Sequence, residues 1–175
     1  MKTFIYRFLP LIILTFLLGA SLAADSSKEN DVRIFNWEKQ AIESVPRLEK
    51  TDVEWKLQLS PNAYYITRQQ GTEPAFSGEY VNNKQKGIYR CINCGSDLFV
   101  SETKYDSQTG WPSFWQAVSP LNVEFKKDLT QGAKRTEVVC RRCGAHLGHV
   151  FEDGPPPTKL RFCINSAALK FDEKK

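Results

Sequence analysis

Beyond Gly87 the chain alternates short apolar runs with Gly, Pro, Asn and Asp punctuation, the pattern of an antiparallel sheet protein. The runs predict strands at Gly87–Arg90, Asp97–Val100, Val123–Lys126, Arg135–Val139, His149–Phe151 and Leu160–Asn165. No long amphipathic helix interrupts them. Upstream the pattern differs. Residues 24–50 begin with a polar stretch, Asp25 to Asp31, and read as a flexible arm whose later part, Phe35–Leu48, is expected to form a short helix against the body. Leu59–Thr67, with Ser60-Pro61-Asn62 inside it, reads as a helix end or a turn into a new element. Gly154-Pro155-Pro156-Pro157 is a stiff exposed loop.

The first 23 residues have the layout of an export signal. Lys2 and Arg7 form a basic start, Phe8 to Leu18 an apolar stretch, and Ser21-Leu22-Ala23 a small-x-small cleavage site. An uncleaved anchor is the alternative, but the apolar run falls short of the roughly 20 residues a spanning helix needs. Cleavage after Ala23 is therefore expected, with no stable membrane insertion afterwards. The protein would be exported, to a periplasm or the exterior, or to a secretory lumen in a eukaryote.

Length and charge then narrow the classes. A chain of 175 residues has room for one ordinary domain besides the leader. Without Lys2 and Arg7 it carries 22 basic and 20 acidic side chains, a balance that does not suggest a nucleic-acid partner. Lys134, Arg135, Arg141 and Arg142 form a short basic patch, read as a solvated face. Monomer is the default state.

Five cysteines change the picture, because a purely disulfide-framed exported protein would have an even number. Cys91-Ile92-Asn93-Cys94 and Cys140-Arg141-Arg142-Cys143 each place two thiols on a tight turn followed by glycine, Gly95 and Gly144. Four thiolates so arranged suit one tetrahedral structural zinc ion per subunit, closed to substrate. Two disulfides are the alternative that an oxidising compartment encourages.

Cys163 is left over. Alternation places Leu160, Phe162 and Ile164 on one strand face and Arg161, Cys163 and Asn165 on the other. A neighbouring cation lowers a thiol pKa, so a reactive thiolate is expected here, against the alternative of an inert buried cysteine. Both histidines of the chain, His146 and His149, follow the second knuckle, where structural and functional roles are both open. Gly110-Trp111-Pro112-Ser113-Phe114-Trp115 is either a core corner or a pocket wall, and composition alone favours the core.

Taken together, Gly110-Trp111-Pro112-Ser113-Phe114, His146-Leu147-Gly148-His149-Val150-Phe151 and Arg161-Phe162-Cys163-Ile164-Asn165-Ser166 closely resemble the methionine sulfoxide reductase B family. The likeness runs from Thr51 to Phe171, with the four knuckle cysteines where zinc-binding members have them. It implies a catalytic domain over residues 51–171, followed by a polar tail over 172–175. It implies a mainly β fold of two antiparallel sheets, tent-like, with short N-terminal helices. The implied activity is reduction of methionine R-sulfoxide, free or within proteins, a repair reaction of oxidative stress. By the same resemblance Cys163 is the nucleophile, His149 and Asn165 position and help protonate the sulfoxide, and Trp111 forms the pocket for the substrate methyl. His146 and Phe151 match residues lining that site, and Arg161 shares the thiol's strand face. Many relatives have a resolving cysteine just before Gly-Trp-Pro, whereas this chain has Ser107-Gln108-Thr109-Gly110. An external thiol, from a thioredoxin-like partner or a small molecule, is therefore expected to reduce the oxidised Cys163. The rival readings are a zinc-ribbon module that binds a protein without catalysis, and a disulfide-framed exported structural protein.

Overall fold

The computed structural model describes residues 30–130 and 135–174. The expected leader, residues 24–29 of the arm, Lys134 and Lys175 lie outside them.

The described chain opens with β1 (Asp31–Asn36) and β2 (Ala41–Pro46), an antiparallel hairpin in unbroken register from Asp31↔Pro46 to Asn36↔Ala41. This corrects the helix expected over Phe35–Leu48 and the flexible reading of that part of the arm. Val32 faces Val45 and Phe35 faces Ile42, the β-branched and aromatic pairs that a strand ladder favours. The decisive contact is distant in sequence. Asn122, fully buried, accepts from Phe35 N–H (2.8 Å) and donates to Phe35 C=O (2.8 Å), so its amide takes the place of a neighbouring strand. Asp97 Oδ2 accepts from the Trp37 amide (2.8 Å) and ties the hairpin to the body a second time.

Helices α1 (Asp52–Gln58) and α2 (Pro61–Arg68) follow. Thr51 and Glu54 form a capping box at the first, while Ser60 caps the second with Pro61 in its first turn. The break at Leu59-Ser60 opens the Leu59–Thr67 stretch read as a helix end or turn, but the rest of that stretch is helix α2. Trp55, Ala63 and Ile66 bury the inner helix faces.

The body consists of β3 (Gly87–Cys91), β4 (Asp97–Val100), β5 (Lys104–Tyr105), β6 (Ser113–Phe114), β7 (Val123–Asp128), β8 (Arg135–Cys140), β9 (His146–Phe151), β10 (Arg161–Ile164) and β11 (Leu169–Glu173). All pairings are antiparallel. One sheet runs β11-β3-β4 and the other β5-β6-β10-β9-β8-β7. The two-sheet expectation therefore describes the body, and the β1–β2 hairpin adds a third sheet. Strands β5 and β6, two residues each, are too short to leave a periodic trace. Strand β11 continues two residues past Phe171, where the polar tail was expected to begin.

Aromatic rings from both body sheets form the centre of the core. Phe99 and Phe114 stack with centroids 4.4 Å apart, Tyr89 meets Phe114 edge-on at 5.1 Å, and Phe162 packs on Phe99 at 5.6 Å. Each such ring contributes about 1.5–3 kcal/mol when fully buried. Three arginines of the basic patch are drawn into the fold rather than solvated. Arg135 pairs with Asp128 (2.7 Å), Arg141 donates to Val123 C=O (3.2 Å), and Arg142 reaches the carbonyls of Pro46 and Cys94 (both 3.4 Å).

Candidate active site

The six-stranded sheet arranges the chemistry in one row. Direct partners across β6, β10, β9 and β8 are Ser113, Cys163, His149 and Glu137, so their side chains share a face. Phe162 and Ile164, the alternate residues of β10, are buried in the core as the alternation predicts. Cys163 thus stands beside an imidazole at the centre of the sheet. A pocket of about 300 Å³ opens over it, lined among others by Trp111, His149, Phe151, Arg161 and Asn165.

Simple alternation would put His146 and His149 on opposite faces of β9. A register shift corrects this: Val138 pairs with Gly148 but Val139 with His146, which leaves Leu147 as an extra residue. The two imidazoles consequently share a face, with centroids 5.5 Å apart. Gly148 enables the close approach of β9 to β10. Its φ is +154°, and a Cβ there would collide with the carbonyl oxygen of Cys163.

Each imidazole is held by a carboxylate that the sequence did not single out. His149 Nε2 donates to Asp128 Oδ2 (2.7 Å), and His146 Nδ1 donates to Glu137 Oε1 (2.7 Å). Asp128 is held well below the usual carboxylate range, first by the Thr130 hydroxyl and next by His149. Burial depresses the pKa of His146, against the pull of Glu137, which favours its neutral form. His146 borders a separate cavity of about 50 Å³ behind His149 and does not line the main pocket. Asp128 and Glu137 left a faint trace in sequence, an acid at the end of one strand and another inside an apolar one.

The electrostatics of Cys163 differ from expectation. Burial pushes its thiol up, and this outweighs the opposing influence of Arg161 and of the Thr109 hydroxyl, 4.0 Å from the sulfur. Arg161 is only partly available because Asp153 engages it through two bonds, 2.8 and 2.9 Å, while its guanidinium lies over the Phe151 ring at 4.3 Å. Burial in the pocket thus opposes ionisation of the thiol.

The Gly110–Trp115 cluster divides between its two readings. Phe114 is a core residue, whereas Trp111 faces the pocket with its indole N–H donating to Glu73 C=O (3.1 Å). Asn165 is fixed at both ends of its amide. Oδ1 accepts from Glu73 N–H (3.1 Å), and Nδ2 donates to Leu147 C=O (3.1 Å).

At the far end of β8 the two knuckles meet. Gly95 and Gly144, at φ +74° and +66°, close the turns by donating to the carbonyls of Cys91 and Cys140, both at 2.8 Å. The four sulfurs lie within 4.8 Å of one another, with Cys91–Cys143 at 3.6 Å and Cys94–Cys140 at 3.5 Å. Disulfides would bring sulfurs to about 2.05 Å. Zinc–sulfur bonds of about 2.3 Å in a tetrahedron require sulfurs about 3.8 Å apart. The spacing of the four sulfurs fits a tetrahedral metal ion closely.

A pocket thiol beside an acid-supported imidazole, on a β fold with a separate four-cysteine cluster able to hold a metal ion, defines an oxidoreductase with a redox-active cysteine. Comparison with known proteins makes this particular. The SelR domain family matches residues 59–173. A peptide methionine sulfoxide reductase MsrB of Acinetobacter baylyi is 57% identical over 130 residues, which span 73% of this chain and 94% of that protein. MsrB proteins of Acinetobacter baumannii (57% over 124 residues; 71% and 89%) and Thiobacillus denitrificans (56% over 125 residues; 71% and 95%) are similarly close. The chain belongs to the SelR family, that of the MsrB enzymes. The hairpin β1–β2 and helix α1 precede the matched region.

Proposed function

We propose that this protein is a peptide-methionine (R)-S-oxide reductase in which Cys163 is the nucleophile. One observation carries the assignment of roles: the thiol and His149 are direct partners on adjacent strands, beneath a pocket walled by Trp111. The substrate methyl group packs against Trp111 and Phe151, and the sulfoxide oxygen points toward His149 and the free Nδ2 proton of Asn165. Cys163 loses its proton as its sulfur attacks the sulfoxide sulfur, and the oxygen takes up one proton from the His149 side to become a hydroxyl. That hydroxyl then passes from the substrate sulfur to the Cys163 sulfur as the transient S–S bond and the substrate S–O bond break. Methionine leaves, reduced by two electrons, and Cys163 is left as a sulfenic acid that carries the oxygen.

Regeneration requires a thiol from outside. The other four cysteines are gathered in the cluster, and the stretch just before Gly-Trp-Pro, where many relatives have a resolving cysteine, offers the Thr109 hydroxyl 4.0 Å from Cys163 Sγ. A thiol of a thioredoxin-like protein or a small molecule displaces water from the sulfenic acid, and a second thiol releases Cys163 with formation of the external disulfide. Cys91, Cys94, Cys140 and Cys143 would hold one zinc ion with a structural role; it supplies rigidity to the two knuckles and no chemistry to the pocket.

The protein acts as a monomer outside the cytoplasm, after removal of residues 1–23. N-terminal sequencing of the mature protein should begin at Ala24. The central test is turnover of racemic methionine sulfoxide. Consumption of the R epimer alone, abolished in Cys163→Ser with metal content intact, is the expected result. Activity surviving in that variant, or consumption of the S epimer, would refute the assignment.

A further inference from the structure

We propose that Glu73 is a positioning residue for the sulfoxide pocket, a role that rests on the functional reading above. Its side chain is 6% exposed, on the irregular segment between α2 and β3. Four of its polar groups are used, and all four act on the site. The carboxylate accepts from the amide of Ser166 through Oε1 and from that of Ala167 through Oε2 (3.1 Å). Its own N–H donates to Asn165 Oδ1 (3.1 Å), and its C=O accepts from the Trp111 indole (3.1 Å). One residue therefore touches both pocket side chains from behind and clamps the turn, Ser166–Ala168, that directly follows Asn165.

A carboxylate suits this place for a chemical reason. Two backbone N–H groups converge on it, and an ionised group accepts from both with bonds roughly twice as strong as neutral ones. An amide would turn its own NH2 toward one of the two donors. Close packing seals the contact. Gly78 lies so near that a Cβ would clash with Ser166 Oγ and stand 2.6 Å from Glu73 Oε1, and the Tyr80 amide donates to Ser166 Oγ (3.1 Å).

The consequence for the pocket follows from counting protons. Asn165 has one acceptor oxygen with two lone pairs and two N–H donors; Glu73 N–H takes one lone pair and Leu147 C=O one donor. Only one N–H remains for a ligand, and Glu73 fixes its direction. The Trp111 ring is likewise fixed through its single N–H. Misplacement of reacting groups by about 1 Å can cost on the order of 100-fold in rate.

The test uses the mature chain with Glu73→Gln. The expected kcat/KM toward a methionine-R-sulfoxide peptide falls about 10- to 100-fold, and the Trp111 indole N–H resonance shifts in the substrate-free protein. In a Trp111→Phe background, which already lacks the indole donor, Glu73→Gln should cost distinctly less than it does alone. Unchanged kcat/KM, an unmoved Trp111 resonance, or losses that simply multiply would overturn the proposal. Should Glu73→Gln fail to fold, Gly78→Ala displaces the same carboxylate oxygen and should produce the same loss and the same shift; wild-type behaviour there counts against the role. A wild-type protein inactive toward every methionine sulfoxide would remove the functional reading, whereas the indole resonance needs no turnover and tests the anchoring by itself.

Discussion

Five identical side chains sit in two unlike environments. Four cysteines lie within 4.8 Å of one another, on turns built by residues next to them in sequence. The fifth, Cys163, takes its surroundings from β6, β9 and the Thr109 turn, each far from it along the chain. The first group is occupied with itself. Cys163 has an arginine already committed to Asp153, a hydroxyl at the edge of bonding distance, and an open pocket. A thiol's chemistry is thus decided by which neighbours are free to act on it.

The sharpest way to break this contrast is to remove one cluster thiol. Structural zinc contributes an apparent ~10–16 kcal/mol in small metal-folded peptides, comparable to the ~5–15 kcal/mol that stabilises a whole domain. Cys140→Ser is therefore expected to abolish both metal binding and the cooperative thermal transition, with activity lost as a result. A metal-free variant that melts like the wild type would show that the two regions are not mechanically linked.

Within the pocket, His149→Gln should lower kcat by roughly 10²- to 10⁴-fold, the usual worth of a positioned acid, while metal content and Tm stay near wild type. Asp128→Asn should produce a smaller loss in the same steady-state assay. Because Asp128 is held below its unfolded pKa, its contribution to stability is present above the ordinary carboxylate range and fades as pH falls through its lowered folded value. The variant should accordingly show a shallower acid limb in Tm against pH.

The smallest effect concerns the thiol's charge. Burial holds Cys163 above its ordinary pKa of 9.0, Asp153 adds to the rise and Arg161 opposes it. Deleting the Asp153 charge lowers the thiol pKa, so the thiolate fraction at any fixed pH below it increases. Iodoacetamide should label Cys163 about two- to threefold faster at pH 8 in Asp153→Asn than in the wild type. An equal or slower rate would mean that Arg161 is not felt at the sulfur.

How much of this was legible in sequence depended on distance along the chain. The knuckles needed only Cys-x-x-Cys-Gly, because the turn is made by adjacent residues. The faces of β10 needed only alternation. The helix expected over Phe35–Leu48 failed because the hairpin is selected by Asn122 and Asp97, whose partnership no local pattern records. The pairing of His146 and His149 on one face was equally hidden, since it depends on a one-residue shift in register. Arg161 was read as an acidifying neighbour of the thiol and does act in that direction, but burial outweighs it, with Asp153 adding to the rise.

Sequence alone determined which side chains could do chemistry here: four thiols at metal spacing, one left over, two imidazoles, and a tryptophan on a Gly-Pro turn. Tertiary structure alone decided which acids support the imidazoles, that Glu73 braces both Trp111 and Asn165, and that burial raises the thiol's pKa. The division has one physical cause. Turn geometry and strand alternation are set by covalent neighbours, whereas desolvation and hydrogen-bond partnership exist only once distant segments have been packed together.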